Sequence, residues 1–333
     1  MPTHGPLQGA AQALRALEKL SPGPDETIIV IDTPSAPGDV ALLPRDARCV
    51  EVPPQSGPAV ARNAGVNLVS SEWVLFVDSD VVVPLGTIAN VRDIVRRSPG
   101  LAALFGTYDS NPGDPGFLSQ YRNLLHQFVH LQGREDAETF WAGLGAVRVE
   151  MFRKVGGFDP RFQRPSIEDI DLGGRIRDHG GAIRLEKTLQ ATHLKRWTFG
   201  SMLRTDLLDR GIPWTRLILR RGQTPNDLSV DPKARLSTAL TSLGLLGLGL
   251  GLWSRWAAAL GMLSLVLLLG INTPFYHHLA GLRGPAFALR AVPHHILFFL
   301  ICGMAGIIGA FLHAFATRDL PQTATEANAR RHR

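Results

Sequence analysis

The chain has 333 residues, 45% of them apolar, a formal net charge of +6 and a pI near 9.8. That length suits one large domain plus an appendage. A basic balance admits nucleic acid as a partner, but no interleaved basic-aromatic patch and no nucleic-acid motif accompanies it, so nucleic acid is not expected. The basic residues Arg216, Arg220, Arg221, Lys233 and Arg235 instead crowd the stretch before an apolar C-terminal region. Lys and Arg accumulate in this way at a cytoplasmic membrane edge. One of the two cysteines, Cys49, lies in the polar part and the other, Cys302, in the apolar part, which argues against a structural disulfide. No CxxC or Cys/His cluster suggests zinc. The first residues carry no apolar core, so no signal peptide is expected and the polar part is expected to stay in the cytoplasm.

Residues 7–20 space Leu and Ala as a helix does. Thr27 to Ile31 is a β-branched run closing at Asp32, and Cys49 to Val52 is a second short strand. Pro58 to Val69 reads as a helix with proline in its first turn, where it is tolerated. Trp73 to Val77 is a continuous apolar run, the pattern of a buried strand in a parallel sheet. It runs straight into Asp78-Ser79-Asp80. Residues 86–97 read as a helix, Leu101 to Tyr108 as a strand, 112–135 as largely helical and Phe140 to Val147 as strand or loop. Glu150 to Val155 is a short helix, and Ser166-Ile167-Glu168-Asp169 has the S-x-x-D form of an N-terminal cap. Alternating strands and helices predict a doubly wound α/β sheet.

Residues 201–221 form a basic helical stretch that fits either a helix lying on a membrane surface or a plain surface helix. From Leu236 onward apolar residues dominate and acids all but vanish until Asp319. Three apolar pieces follow: Leu236 to Trp253, Trp256 to Ile271 and His294 to Phe315. The first two would make a hairpin turning at Ser254-Arg255, and Arg283 and Arg290 would lie in a cytoplasmic connector. The expected organisation is a catalytic domain over 1–200, a basic interfacial linker over 201–233, about three membrane segments over 234–317 and a polar tail over 318–333. Three full spans would put the arginine-rich tail outside, against the positive-inside tendency. A multi-pass membrane protein with a cytoplasmic catalytic domain is the expectation.

The chemistry begins at the end of the Trp73–Val77 run. Ligands of open α/β sheets bind beyond the carboxyl ends of the strands. Carboxylates at i and i+2 there can share one hard cation, which in turn holds a diphosphate. An ordinary acidic turn fits Asp78-Ser79-Asp80 as well.

Four patterns occur in order: Asp32 closing a strand, then GPAVARNAG, then Asp78-Ser79-Asp80, then Glu168-Asp169. Together they resemble an inverting glycosyltransferase of family 2 with the GT-A fold, a nucleotide-diphospho-sugar-binding, Rossmann-like domain. The resemblance covers about residues 2–200 and includes WAGLGAVRVEMFRKVGGFDPRF, SIEDIDLGGRI and THLKRWT. It implies that Asp32, Arg62 and Asp78 bind the donor nucleotide. Asp80, with Asp78, would hold Mg²⁺ or Mn²⁺; His193 would either reach that metal or be structural. Asp169 would be the general base, with Glu168 beside it orienting the acceptor, while Arg196 and Trp197 would close over the diphosphate or acceptor. Asp171 is read as a solvated helix charge. The implied partners are a nucleotide-diphosphate sugar and a lipid or glycan acceptor at a membrane.

Two departures stand out. Family members begin with a full strand ending in a pattern like P-x-Y-N, whereas Met1-Pro2-Thr3-His4-Gly5 reads as beginning inside that strand. His4 and Gly5 stand where Tyr and Asn would, and Asp32-Thr33-Pro34-Ser35 replaces D-D-G-S. A catalytically impaired membrane scaffold and a sugar-lipid binding or transport component are the rival readings.

Overall fold

The computed structural model describes residues 1–33 and 39–315, so Pro34, Ser35 and the expected polar tail lie outside the described residues. The chain divides into two compact units. The first comprises 1–113 and 134–195. The second comprises 114–133 and 196–313, so the helix within 112–135 groups with the C-terminal helices rather than with the rest of 1–200.

The first unit opens with β1 (Pro2–Thr3), a 3₁₀ turn, α1 (Ala11–Glu18) and β2 (Thr27–Ile31). β3 (Ala47–Glu51) starts two residues before the expected strand. Then come α2 (Gly57–Val66), β4 (Trp73–Val77), β5 (Val81–Val82), α3 (Thr87–Arg97) and β6 (Leu101–Tyr108). The β-branched run of β2 suits a pleated, half-buried surface. α2 has Pro58 in its first turn and Gly57 at φ +84°, where an added Cβ would meet the Gln163 carbonyl oxygen at 2.3 Å.

Within the second unit, α4 (Phe117–Gln132) follows. The first unit resumes with β7 (Leu144–Arg148), α5 (Val149–Lys154), α6 (Glu168–Asp178) and β8 (Ala182–His193). β1, β2 and β3 form a parallel three-stranded sheet. A second sheet runs in the order β4-β7-β6-β8-β5, with β6 and β8 parallel and the other neighbours antiparallel.

Three expectations are corrected. β4 is an edge strand paired antiparallel with β7, not a strand with parallel neighbours as its continuous apolar run suggested. Its residues are apolar on both sides because side chains cover both, with Phe76 packing on Phe152 and Phe158 at 5.9 and 5.2 Å between centroids. α6 begins at Glu168 with Ile167 at the N-cap position, so Ser166 stands one residue ahead of the place that S-x-x-D gave it. Asp171 is buried rather than solvated, and accepts a 2.9 Å hydrogen bond from Arg175 Nε, whose Nη1 donates to the Val155 carbonyl at 2.6 Å.

The second unit continues with α7 (Phe199–Arg204), a π-helical segment over Thr205–Gly211 and α8 (Ile212–Arg221). Then come α9 (Pro232–Leu250), α10 (Arg255–Ile271), α11 (Thr273–Arg283) and α12 (Pro285–Phe315). α9 and α10 make the expected hairpin, with Ser254 accepting the Ala257 N–H as the N-cap of α10. The two helices approach closely at Gly244, Gly247 and Gly261; a Cβ on Gly247 would sit 2.8 Å from the Gly261 Cα. The connector expected to hold Arg283 and Arg290 is itself helical, with Arg283 ending α11 and Arg290 inside α12.

Among the described residues, α12 is the helix long and apolar enough to cross a membrane. α10 and α11, bent by 54° at their junction, reach that standard only as a pair. One such helix, or two, therefore replaces the three expected: α9 carries Lys233 and Arg235 in its first turns and does not qualify. Large apolar side chains stand open along this unit, including Trp253, Trp256, Ile307 and Phe311. Open apolar surface of this kind is unlike the core hairpin of a soluble domain.

Candidate active site

Arg62, on α2, is the hub of the site. Its guanidinium is buried, with Nη1 donating to Glu168 Oε1 and Nη2 to Asp78 Oδ1, each at 2.7 Å. The Phe158 ring lies 5.3 Å from its central carbon. Burial alone would lower the Arg62 pKa; Asp78 and Glu168 outweigh it and hold the group above its ordinary value. A planar fork suits two carboxylates on different elements, which a lysine could not span.

β4 delivers Asp78, whose N–H donates to the Gly143 carbonyl at 3.2 Å. The next residue back, Ala142, donates its N–H to Asp169 Oδ2 at 3.1 Å, and Ile170 N–H donates to Asp169 Oδ1 at 2.8 Å. The Ala142-Gly143 backbone thus ties Asp78 and Asp169 to one short segment. Glu168 Oε2 takes the Ser166 N–H at 2.8 Å. Asp78, Glu168 and Asp169 therefore converge with Arg62 in one place.

Asp80 faces a different neighbour. Its Oδ2 lies 3.4 Å from His193 Nε2, and its side chain is 40% exposed. β5 brings them together: Val81 pairs with His193, and the Leu194 N–H donates to the Asp80 carbonyl at 2.8 Å. Burial pushes the Asp80 carboxyl up, and the His193 hydrogen bond and charge more than offset it, leaving Asp80 below the usual carboxylate value. His193 is buried and stacks on Tyr108 at 4.1 Å and 6°. Tyr108 in turn meets Trp141 edge-on at 4.8 Å.

The two acids of Asp78-Ser79-Asp80 are thus divided, one to Arg62 and one to His193. No three His, Cys, Asp or Glu side chains converge into a closed cage among the described residues. The half-exposed Asp80 carboxylate beside the His193 imidazole is a donor pair of a kind that divalent ions accept.

Asp32 lies in the same unit. Buried, it contacts His4 Nδ1 at 2.9 Å and accepts from Thr33 Oγ1 at 3.2 Å. His4, standing where the resemblance expects Tyr, thus reaches Asp32. Arg196 and Trp197 belong to the second unit. Arg196 is exposed; the Trp197 N–H donates to Ser119 Oγ at 2.8 Å, and the Arg122 guanidinium lies 5.6 Å from its ring. The sequence assigned no role to Phe158, although it lies inside the WAGLGAVRVEMFRKVGGFDPRF segment, nor to Tyr108, which ends the expected strand Leu101 to Tyr108.

Residues 1–156 match the family profile described as glycosyl transferase family 2, and residues 122–196 match that of the N-terminal domain of galactosyltransferase. The family-2 match covers a little under half of the chain. The chain is 27% identical over 205 residues to the pre-mycofactocin glycosyltransferase of two Mycobacterium tuberculosis strains, covering 56% of its own length. It spans only 41% of the length of those curated relatives. Among solved structures it resembles the mannosyltransferase PcManGT from Pyrobaculum calidifontis, in complex with GDP-Man and Mn²⁺. The TM-score is 0.58 at 17% identity, covering 95% of this chain and 86% of that one. The likeness shows a shared GT-A fold.

Proposed function

We propose that this chain transfers a sugar from a nucleotide-diphosphate sugar to a membrane-associated acceptor, with inversion at the anomeric carbon. The observation that carries the reading is the Arg62 bridge, which gathers Asp78 and Glu168 into one cluster beside Asp169.

In the proposed reaction the acceptor oxygen attacks the anomeric carbon in line with the leaving group. The carbon–oxygen bond to the diphosphate breaks, and the nucleoside diphosphate leaves with that electron pair. Asp169 receives the acceptor proton, and its orientation is fixed in advance by the Ala142 and Ile170 N–H groups. Glu168 orients the acceptor, with its own carboxylate held by Arg62. Asp78 and Asp32 bind ribose and base. Asp80, with His193, would hold Mg²⁺ or Mn²⁺, which when bound supplies positive charge to the leaving diphosphate. Arg196 and Trp197 serve the diphosphate or acceptor.

α12 supports a membrane location for the acceptor: a polyprenyl phosphate, a lipid-linked glycan or an envelope polysaccharide. The exposed Leu219 and the terminal arginines Arg220 and Arg221 of α8 support a resting place at the same surface. GDP-mannose with Mn²⁺, the pair in the Pyrobaculum protein, is the first donor to try, with UDP-sugars beside it.

The test is the anomeric configuration of the product, read by NMR after transfer from an α-linked donor into membrane lipids. A β-linked product is expected. An α-linked product would overturn inversion and Asp169 as base.

A further inference from the structure

Inside the second unit the first turn of α4 meets the junction of α11 with α12, where Gly284 at φ +87° makes the turn. Two arginines from that junction are anchored on α4. The guanidinium carbon of Arg290 lies 4.1 Å from the centroid of the Phe117 ring, within cation–π reach. That ring is itself held between Phe287 at 4.9 Å and His294 at 5.0 Å, and His294 Nδ1 lies 3.1 Å from the Arg290 carbonyl. Arg283 donates from Nε to Gln120 Oε1 at 2.9 Å and from Nη1 to the Leu282 carbonyl at 3.0 Å. Gln120 is turned for this contact, because its Nε2 donates to the Asp114 carbonyl at 2.7 Å. Phe117 and Gln120 stand at i and i+3, neighbours on one face of α4. The two guanidinium groups are therefore anchored about one helical turn apart.

No Asp or Glu occurs between Asp231 and Asp319. Asp114 is the acid nearest to Phe117 in sequence, and its Oδ1 accepts the Gly116 N–H at 3.0 Å. Neither Asp114 nor Arg290 forms an ion pair among the described residues. Arg290 is exposed, and beside it Leu289 is 75% exposed. From His294 to its end α12 is about 33 Å long at ~1.5 Å per residue, which matches a hydrocarbon core of about 30 Å. Arg290 stands one turn ahead of that length, about 6 Å outside it, at the depth of lipid phosphates.

We propose that Arg283 and Arg290 form a headgroup site for a lipid phosphomonoester at the membrane surface. A phosphomonoester carries a charge of about −1.5 to −2 at neutral pH, which two guanidinium groups match. A phosphodiester carries a single charge and leaves one of them unmatched. Each guanidinium can also present paired N–H groups to phosphate oxygens, which a lysine cannot. Phe117 and Gln120 hold the arginines in place beforehand, so little side-chain freedom is lost when the phosphate arrives. The exposed Leu282 and Leu289 stand next to the two arginines in sequence and offer apolar surface to acyl chains, which a free phosphate does not use. The inference rests on the membrane reading of α12 and holds whatever the reaction.

The experiment titrates the detergent-solubilised full chain with short-chain phosphatidic acid, short-chain phosphatidylglycerol and inorganic phosphate, followed by calorimetry. Phosphatidic acid is expected to bind at least about tenfold tighter than either of the others. The double variant Arg283→Gln, Arg290→Gln is expected to lose about tenfold or more of that affinity, and Arg290→Gln alone, at an exposed position that tolerates the change, about threefold or more. Phe117→Leu keeps both charges and should weaken binding by about threefold through loss of the ring. Arg220→Gln with Arg221→Gln removes the same formal charge from α8 and should change affinity by less than about twofold. Equal affinity for phosphatidic acid and phosphatidylglycerol would overturn the proposal. So would an equal loss in the α8 variant, which would reduce the two arginines to diffuse surface charge. Inorganic phosphate binding as tightly as phosphatidic acid would make the pair a free-anion site and overturn the lipid assignment. Micellar lipid reads the headgroup site whether or not α12 spans a bilayer; co-sedimentation with neutral phosphatidylcholine vesicles tests that span separately.

Discussion

Glu168 accepts a 2.7 Å hydrogen bond from the guanidinium of Arg62, 106 residues earlier in the chain, and both side chains are buried. Asp78 holds the other arm of the same guanidinium. Arg62 thus sets the position of two acids, which its reading as a nucleotide-binding residue did not capture. Removing it strands a buried carboxylate. Arg62→Met should therefore cost about 3–5 kcal/mol in denaturant unfolding. Arg62→Lys keeps the charge but cannot span both acids, so it should retain most of that stability while lowering turnover more than donor affinity.

Asp169 separates two acceptor classes. A hydroxyl must lose a proton during transfer, whereas a phosphate acceptor is already ionised. Asp169→Asn should abolish transfer to a hydroxyl and be milder for a phosphate. Complete and equal loss with a proven phosphate acceptor would contradict the base assignment. Radiolabelled transfer to each acceptor, at matched donor saturation, makes the comparison.

Asp171 tests structure without chemistry. Its carboxylate and Arg175 form a buried pair within one helix, so Asp171→Ala should destabilise the chain by about 3 kcal/mol. Nucleotide affinity at low temperature, where the variant is folded, should stay within about twofold.

Glu26 gives the pH dependence. The Ser70 N–H, followed by the Ser70 and Ser71 hydroxyls and the Ser71 N–H, holds its carboxyl below the ordinary value of 4.5. A depressed folded pKa adds stability above pH 4.5, and that part is lost as pH falls through the folded value. Glu26→Gln should therefore be less stable than the parent at pH 7, with the gap closing in acid. Melting temperatures of both proteins from pH 7 to pH 3 measure it.

Much of this was legible in the sequence. Thr27–Ile31 and Trp73–Val77 are strands with the expected bounds, because β-branched and apolar runs of that length have few other uses. The direction of β4's neighbour was not, since side-chain pattern records how buried a strand is and not which way its partner runs. β8 escaped notice although Ile183, Leu185, Leu189 and Ala191 are buried within it; Glu186-Lys187-Thr188 interrupts their alternation where its register with β6 shifts. Asp171 looked solvated by type, yet Arg175 four residues on was a visible partner. At the site, Asp32, Asp78, Asp80, Glu168 and Asp169, which the motifs singled out, all lie in the first unit. They could not show that Asp78 and Asp80 part company, because that depends on Arg62 and His193 arriving from α2 and β8.

The most direct measurement is calorimetric titration of the detergent-solubilised chain with GDP and UDP, with and without Mn²⁺, beside Asp80→Ala. The account predicts binding of one nucleotide that needs the metal and is lost in the variant. Failure of both nucleotides to bind well-folded protein would contradict it and favour a membrane scaffold that keeps the fold without the chemistry.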